Sequence, residues 1–177
     1  MKRQVLIVQN IYYTTLEVGS IYLFIAKTND GLCYVSSNRD SAIILTTQLR
    51  TKNISHRLIN DEKIVKVERE QLREYFLQKR SSFDVPLDQS LIGTDFQRLV
   101  WKTLRTIPYG TTTTYSEIAH KIGQKRAVRA VANAVGKNPL LIITPCHRVI
   151  RKDGSLSGFR DGIAMKRTLL YIENITL

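Results

Sequence analysis

The spacing of apolar positions along the chain changes character near its middle. In the first part, short apolar runs broken by turn residues predict strands. Ile21–Lys27 and Leu32–Ser36 are separated by Thr28-Asn29-Asp30-Gly31, whose Asp-Gly pair favours a hairpin. Ser41–Leu49 is apolar and polar by turns and reads as either strand or helix. Asp61–Phe76 carries Ile64, Val65, Val67, Leu72, Tyr75 and Phe76 at the spacing of an amphipathic helix. At Gln78–Leu91 the periodicity breaks around Ser81-Ser82 and Pro86. This stretch reads as a connection between two domains, with a short strand at Phe83–Leu87. No internal repeat of 20–50 residues is present.

The second part is more regular. Thr94 or Asp95 can cap a helix whose Phe96, Leu99, Val100 and Leu104 fall on one face, and Ile107-Pro108-Tyr109-Gly110 ends it with turn chemistry. Thr114-Tyr115-Ser116-Glu117 has the form of a capping box, opening a helix that buries Ile118, Ala119 and Ile122 and stops at Gly123. Another helix is expected from about Arg126 to Val135, ended by Gly136. Such a pair is the helix-turn-helix pattern. In its second helix Val128, Val131 and Val135 share a face, and Arg126, Arg129, Ala130 and Asn133 lie opposite. A basic face of small residues suits close approach to a nucleic-acid backbone, although a plain helical hairpin with a solvated face has the same form.

Charge bears on this choice without deciding it. The chain has 177 residues and a net charge of +12. Residues 1–90 hold 13 Lys/Arg against 10 Asp/Glu, whereas residues 91–177 hold 14 against 5. An excess concentrated in one half suggests a polyanionic partner, nucleic acid first, and generic solubility charge accounts for the composition equally well. The longest apolar runs, such as Ile21–Ala26 and Leu140–Ile143, fall far short of a membrane span. The Met-Lys-Arg start with Val5–Val8 lacks the length and cleavage site of a signal peptide, so a location inside the cell is expected: cytoplasmic, or nuclear in a eukaryote. Two distant cysteines, Cys33 and Cys146, and three scattered histidines match neither a disulfide framework nor a zinc site.

Cys33 reads as a buried small hydrophobe. Cys146 has a richer setting. The apolar, β-branched-rich run Leu140–Ile143 predicts a short buried strand, and Pro145 breaks it, so Cys146 is expected at a bend where a strand ends. A nucleophilic cysteine needs a base or a positive field. His147 and Arg148 are candidates to supply them, and Glu173 could orient the imidazole. Neighbours on a strand face opposite ways, so a turn or a bridging water must bring Cys146 and His147 together.

Pro145-Cys146-His147-Arg148-Val149 resembles the active-site motif of the O6-alkylguanine-DNA alkyltransferases. The resemblance continues through Phe83–Asp88, Gly93–Gln97, Val100-Trp101, Ile107–Gly110, Tyr115, Ile122-Gly123, Arg129–Val131, Asn138-Pro139, Lys166, Leu169-Leu170 and Glu173. It covers about residues 83–173, and residues 1–80 match only in position and general character. It implies a small N-terminal ribonuclease-H-like α/β domain (1–80), a linker (81–91), and a mainly α domain (92–177) holding the helix-turn-helix and the cysteine active-site loop. It further implies a monomer acting on double-stranded DNA that contains O6-alkylguanine, with no cofactor, no metal and no membrane. O4-alkylthymine stays open as a second substrate.

The resemblance also implies roles for individual residues. Cys146 would accept the alkyl group irreversibly, with His147 as base through a water, Glu173 as its orienter and Asn138 as the hinge. Arg129 would fill the gap left by a flipped nucleotide, and Tyr115 would crowd the phosphate and protonate the base. Ser116, Gln124 and Lys152 would touch the DNA backbone in the minor groove. Val149, Phe159, Arg160, Leu141 and Lys166 would line the substrate pocket, with the Arg160 main-chain NH reaching O6. Several positions depart from the family pattern. Phe159 stands for the usual tyrosine, Arg160-Asp161-Gly162 for small-Gly-Gly, Ala132 for glycine, and Leu141 for the proline of some relatives, which bears on the range of alkyl groups accepted. A lesion-binding relative without transfer would lack the cysteine. A helix-turn-helix transcription factor would not need the Pro-Cys-His-Arg-Val turn, and a cysteine hydrolase would need an oxyanion arrangement that is not recognisable here.

Overall fold

A computed structural model describes residues 8–176, so Met1–Ile7, including most of the Val5–Val8 run, and Leu177 lie outside the described residues. The chain divides into two compact units, one of residues up to Arg73 with Val85–Ile92, the other of Glu74–Asp84 with Gly93–Leu177. The segment 81–91 is thus shared between them.

In the first unit, strands β1 (Gln9–Val18), β2 (Ile21–Lys27), β3 (Leu32–Ser36) and β4 (His56–Asn60) form one sheet in the order β3-β2-β1-β4. The β1–β2 and β2–β3 pairs are antiparallel, and β4 lies parallel to β1. The β2–β3 hairpin has the bounds predicted from its Asp-Gly turn. Gly31 there has φ +146, and a Cβ on it would come within 2.5 Å of the Pro86 carbonyl oxygen. Only glycine lets Val85–Ile92 pass so close. Leu32 N–H donates to Pro86 O, Asp88 N–H to Leu32 O, and the Thr28 hydroxyl to the buried Asp88 carboxylate at 2.6 Å. The expected Phe83–Leu87 strand is therefore reduced to a single bridge between Leu32 and Leu87, because Pro86 has no N–H to extend it.

Ser41–Leu49 resolves as helix, α1 (Ser41–Thr51), burying Leu45 and Leu49. Helix α2 spans Lys66–Phe76 and starts later than its apolar spacing suggested. Asp61 accepts the N–H groups of Lys63 and Ile64 and closes a turn first, leaving Ile64 and Val67 exposed.

In the second unit, α3 (Asp95–Leu104) has Thr94 as its cap, in a full capping box with Gln97. Leu99, predicted on the buried face, is exposed. Trp101 is fully buried instead and donates from Nε1 to Ala134 O at 2.8 Å. Helix α4 (Tyr115–Lys121) has the predicted Thr114–Glu117 capping box, and Gly123 follows in the left-handed region at φ +73. Helix α5 begins at Val128, two residues later than expected. Gly136 is its last helical residue and is not a left-handed stop. Two short strands, β5 (Thr113–Thr114) and β6 (Val149–Ile150), pair in parallel, and α6 covers Ile163–Ile172.

The Leu140–Ile143 strand is absent. Its residues are buried as predicted, but they form a turn in which Thr144 N–H donates to Leu140 O and Ile142 sits at φ +71. A β-branched residue there is a strained outlier that its surroundings must hold. Burial and β-branching indicated only that the run is internal. The turn follows from the side chain of Asn138.

Candidate active site

Asn138 leaves the end of α5 with its carboxamide buried. Its Oδ1 accepts Leu140 N–H at 3.0 Å, and its Nδ2 faces Leu140 O at 3.2 Å, Thr144 O at 2.8 Å and Cys146 Sγ at 3.1 Å. One side chain thus stands in for the ladder a strand would have supplied and delivers the thiol at a fixed place. After Pro145 the chain enters a 3-10 turn, Cys146–Arg148, with all three residues buried. Cys146 therefore starts this turn and does not sit at a strand's end.

The 3-10 turn sends His147 to Glu173, Nε2 to Oε1 at 2.7 Å, with both side chains fully buried. Glu173 is the focus of the site. Its Oε1 also accepts the Tyr75 hydroxyl at 2.7 Å and Arg148 Nη2 at 2.9 Å, and its Oε2 accepts Arg148 Nε at 2.8 Å and Gly110 N–H at 3.1 Å. Burial alone would push this carboxyl up, but the hydrogen bonds from His147, Arg148 and Tyr75 hold it at about 2. Arg148, a candidate source of positive field at the thiol, is committed to Glu173 and Ile107 O. Because that guanidinium already balances the carboxylate, burial prevails at His147 and lowers its proton affinity, with Arg148 and Lys166 adding to the effect. Burial thus favours the neutral imidazole, and among the described residues its buried Nδ1 has no hydrogen-bond partner, the atom a bridging water could serve.

The thiol of Cys146 is pushed up by burial. The Asn138 hydrogen bond and the nearby charges of Arg160 and Lys166 oppose this, and Asp161 adds to it. Arg160 donates from Nη1 to Asn138 O and from Nε to Asp161 at 2.8 Å, so the unusual Arg-Asp pair braces the same asparagine. Lys166, buried on α6, donates to Val149 O at 2.6 Å and stands 5.9 Å from the Phe159 ring, its ammonium lowered to about 8 by burial. Leu141 is buried in the Asn138 turn. Tyr115 is hydrogen-bonded to Ser157, and burial keeps its hydroxyl protonated. The 146–149 segment thereby joins three hydrogen-bonded sets, Cys146 with Asn138 and Arg160, His147 with Glu173, and Val149 with Lys166. Ser116, Gln124, Arg129 and Lys152 stand exposed on α4, the helix-turn-helix turn, α5 and the loop after β6. Among the described residues no group of three His, Cys, Asp or Glu side chains is arranged to hold a metal, and no helix is long and apolar enough to cross a membrane.

Sequence reasoning missed two partners of Glu173. Tyr75 is by spacing one more apolar position of α2, and nothing in that spacing distinguishes a hydroxyl that meets a carboxylate 98 positions away. Gly110 was read as turn punctuation, and its N–H is what the carboxylate uses.

A helix-turn-helix with an exposed basic face, in the same unit as a buried cysteine turn backed by a His–Glu pair, defines a DNA-binding protein with a nucleophile of its own. Comparisons with known proteins identify the family. Residues 95–175 match the model described as "6-O-methylguanine DNA methyltransferase, DNA binding domain", and residues 11–89 that of its ribonuclease-like domain. The inducible methylated-DNA–protein-cysteine methyltransferase of Bacillus subtilis is 40% identical over 163 residues, 92% of this chain and 90% of that one. The crystal structure of Mycobacterium tuberculosis O6-methylguanine methyltransferase superposes with a TM-score of 0.73 at 38% identity, covering 92% of each chain. A structure of the M. tuberculosis protein in complex with DNA gives 0.70 at 37%, covering 93% of this chain and 92% of that one. The chain belongs to the methylated-DNA–protein-cysteine methyltransferase family.

Proposed function

We propose that this protein repairs alkylated duplex DNA by moving the alkyl group from O6 of guanine onto Cys146, once per molecule. The observation that carries this reading is the Cys146 Sγ set 3.1 Å from Asn138 Nδ2, in a turn whose next residue, His147, is bonded to Glu173. The thiol proton passes through a water to Nδ1 of His147. The sulfur–carbon bond forms as the carbon–O6 bond breaks, and the electron pair goes to the guanine. The Tyr115 hydroxyl protonates the ring and recovers its proton by way of solvent from the imidazolium, so the thiol's proton ends on guanine. Restoring the nucleophile would mean breaking the thioether carbon–sulfur bond, and the site offers no group to do it.

An alkyl group on O6 lies inside the duplex, so the nucleotide must be flipped out, at a cost of a few kcal/mol. Arg129, exposed on α5, would fill the vacated stack from the minor groove. Ser116, Gln124 and Lys152 would hold the phosphates. Phe159, Leu141, Val149 and the Arg160 main chain would receive the base. The net positive charge of residues 91–177 supports a salt-sensitive encounter with DNA. The protein would act as a monomer in the compartment that holds the DNA, the cytoplasm of a bacterium or the nucleus of a eukaryote.

Duplex carrying labelled O6-methylguanine should leave one methyl per protein, on Cys146, by mass spectrometry. Turnover, or label elsewhere, overturns the reading. Cys146→Ala should bind the duplex and transfer nothing. Arg129→Ala should slow reaction with duplex far more than with free O6-methylguanine. Equal slowing would refute its role in flipping.

A further inference from the structure

Tyr75 belongs to α2 and lies outside the matched DNA-binding segment 95–175, yet its hydroxyl ends on the carboxylate that holds the candidate base. The side chain is fully buried. Its ring packs edge-on to Tyr109 at 6.2 Å and against Phe83 at 5.7 Å, and among the described residues its hydroxyl has no acceptor besides Glu173. A buried phenol without a partner is costly, and it finds its acceptor in Oε1 of Glu173, which His147 and Arg148 also use. The other charged and titratable groups facing the Glu173–His147 pair are Arg148 from the 3-10 turn, Lys166 from α6 and Tyr109. The Tyr109 hydroxyl is used on Ile172 O and not on Glu173.

We propose that Tyr75 is a positioning residue of the transfer reaction, its hydroxyl sharing Oε1 of Glu173 with His147 and so setting how strongly that carboxylate binds the imidazole. This rests on the reading of His147 as the base that takes the thiol proton. Three groups compete for one oxygen. Oε1 accepts three donors, Tyr75, His147 and Arg148 Nη2. Each donor withdraws electron density and weakens what the oxygen offers the others. With the Tyr75 hydroxyl in place, Glu173 orients His147 without drawing a proton onto it. With the hydroxyl gone, the carboxylate is more basic, the imidazolium is favoured, and the base is blocked at a pH where it was free.

The test uses the full chain with Tyr75→Phe, which keeps the ring and removes only the oxygen. The titration of His147 is followed by NMR on histidine-labelled protein, and single-turnover methyl transfer is measured from pH 5 to 9. The expected result is that His147 titrates about half to one pH unit higher in the variant, and that the acid limb of the transfer rate moves with it. At a pH on that limb, transfer slows about three- to tenfold, while the plateau rate changes by less than about threefold. Tyr109→Phe, which loses only the bond to Ile172 O, should leave the His147 midpoint where it was. An unmoved His147 midpoint in Tyr75→Phe overturns the proposal, because a residue that merely packs would lower the amount of active protein without shifting a titration. A shifted midpoint with an unshifted rate profile sustains the Tyr75 coupling and instead refutes His147 as the base.

Discussion

Replacing Asn138 with alanine should disable the cysteine turn twice over, once in stability and once in chemistry. The carboxamide makes the Leu140 N–H bond and faces three acceptors, all buried. Leu140 O and Thr144 O each keep a second, main-chain donor, Thr144 N–H and Cys146 N–H, so their loss is partial. The Leu140 N–H keeps none. Stranding it costs about 1–3 kcal/mol, and the partial losses at the two carbonyls add to this, whereas the strain at Ile142, φ +71, is present with or without the carboxamide and adds nothing. A total near 3 kcal/mol corresponds to a fall in Tm of roughly 6–12 °C for a chain of this length. The sulfur loses the one side-chain donor that opposes its burial. A hydrogen bond to a charged group is worth about 1.5–3 kcal/mol, so the thiolate fraction at neutral pH should drop about tenfold or more. The assay is iodoacetamide alkylation of the folded protein between pH 6 and 10, read on the Cys146 peptide by mass spectrometry, with no DNA present. Cys33, 1% exposed with its thiol pushed up by burial, provides an unreactive internal control. A variant that melts early but alkylates along the wild-type pH curve would refute the claim that Asn138 governs the sulfur.

Three further outcomes are expected. Glu173 is held at about 2 against an ordinary 4.5, so its stabilisation is full above about pH 4.5 and is lost as pH falls through about 2. That contribution is on the order of 3 kcal/mol, and urea melts of Glu173→Gln should be weaker at pH 7 and show a shallower decline below pH 4.5 than wild type. A variant with the same acid dependence as wild type would contradict this. Arg160→Ala removes a cation near Cys146 and the donor to Asn138 O, so iodoacetamide should react about three- to tenfold more slowly at pH 7, with Arg160→Lys restoring part of the rate. Unchanged reactivity would mean that the guanidinium does not act on the thiol. Gly31→Ala should lose about 2 kcal/mol or more in denaturant melts, because its Cβ would overlap Pro86 O. Gly19→Ala, at φ +58 with open space around it, should lose only about 1. Equal losses would show that backbone conformation alone, and not the passage of residues 85–92, requires Gly31.

Where a signal is local, the sequence carried it whole. The Asp-Gly hairpin, the Thr114 capping box and the Gly123 stop depend on contacts within four residues, and the structure has each of them; of the two candidate caps Thr94 and Asp95, it is Thr94 that caps α3. Cys146, His147 and Glu173 could be singled out because a thiol, a base and a carboxylate carry their chemistry in their identities. Local pattern failed where a distant partner decided the conformation. Leu140–Ile143 has the composition of a strand, but Asn138 takes up its main-chain groups and turns it. Leu99 sits on the right spacing, but Trp101 is larger and reaches Ala134 O, so the face it occupies is the buried one. Nothing within reach of Tyr75 in sequence marks it as a donor to Glu173, and nothing near Arg160 marks it as a brace for Asn138. The residue types that do the chemistry were legible in the chain. Which acceptors fill their valences, and so how acidic or basic each group is, was decided only when folding brought buried donors and acceptors together where water could not serve them.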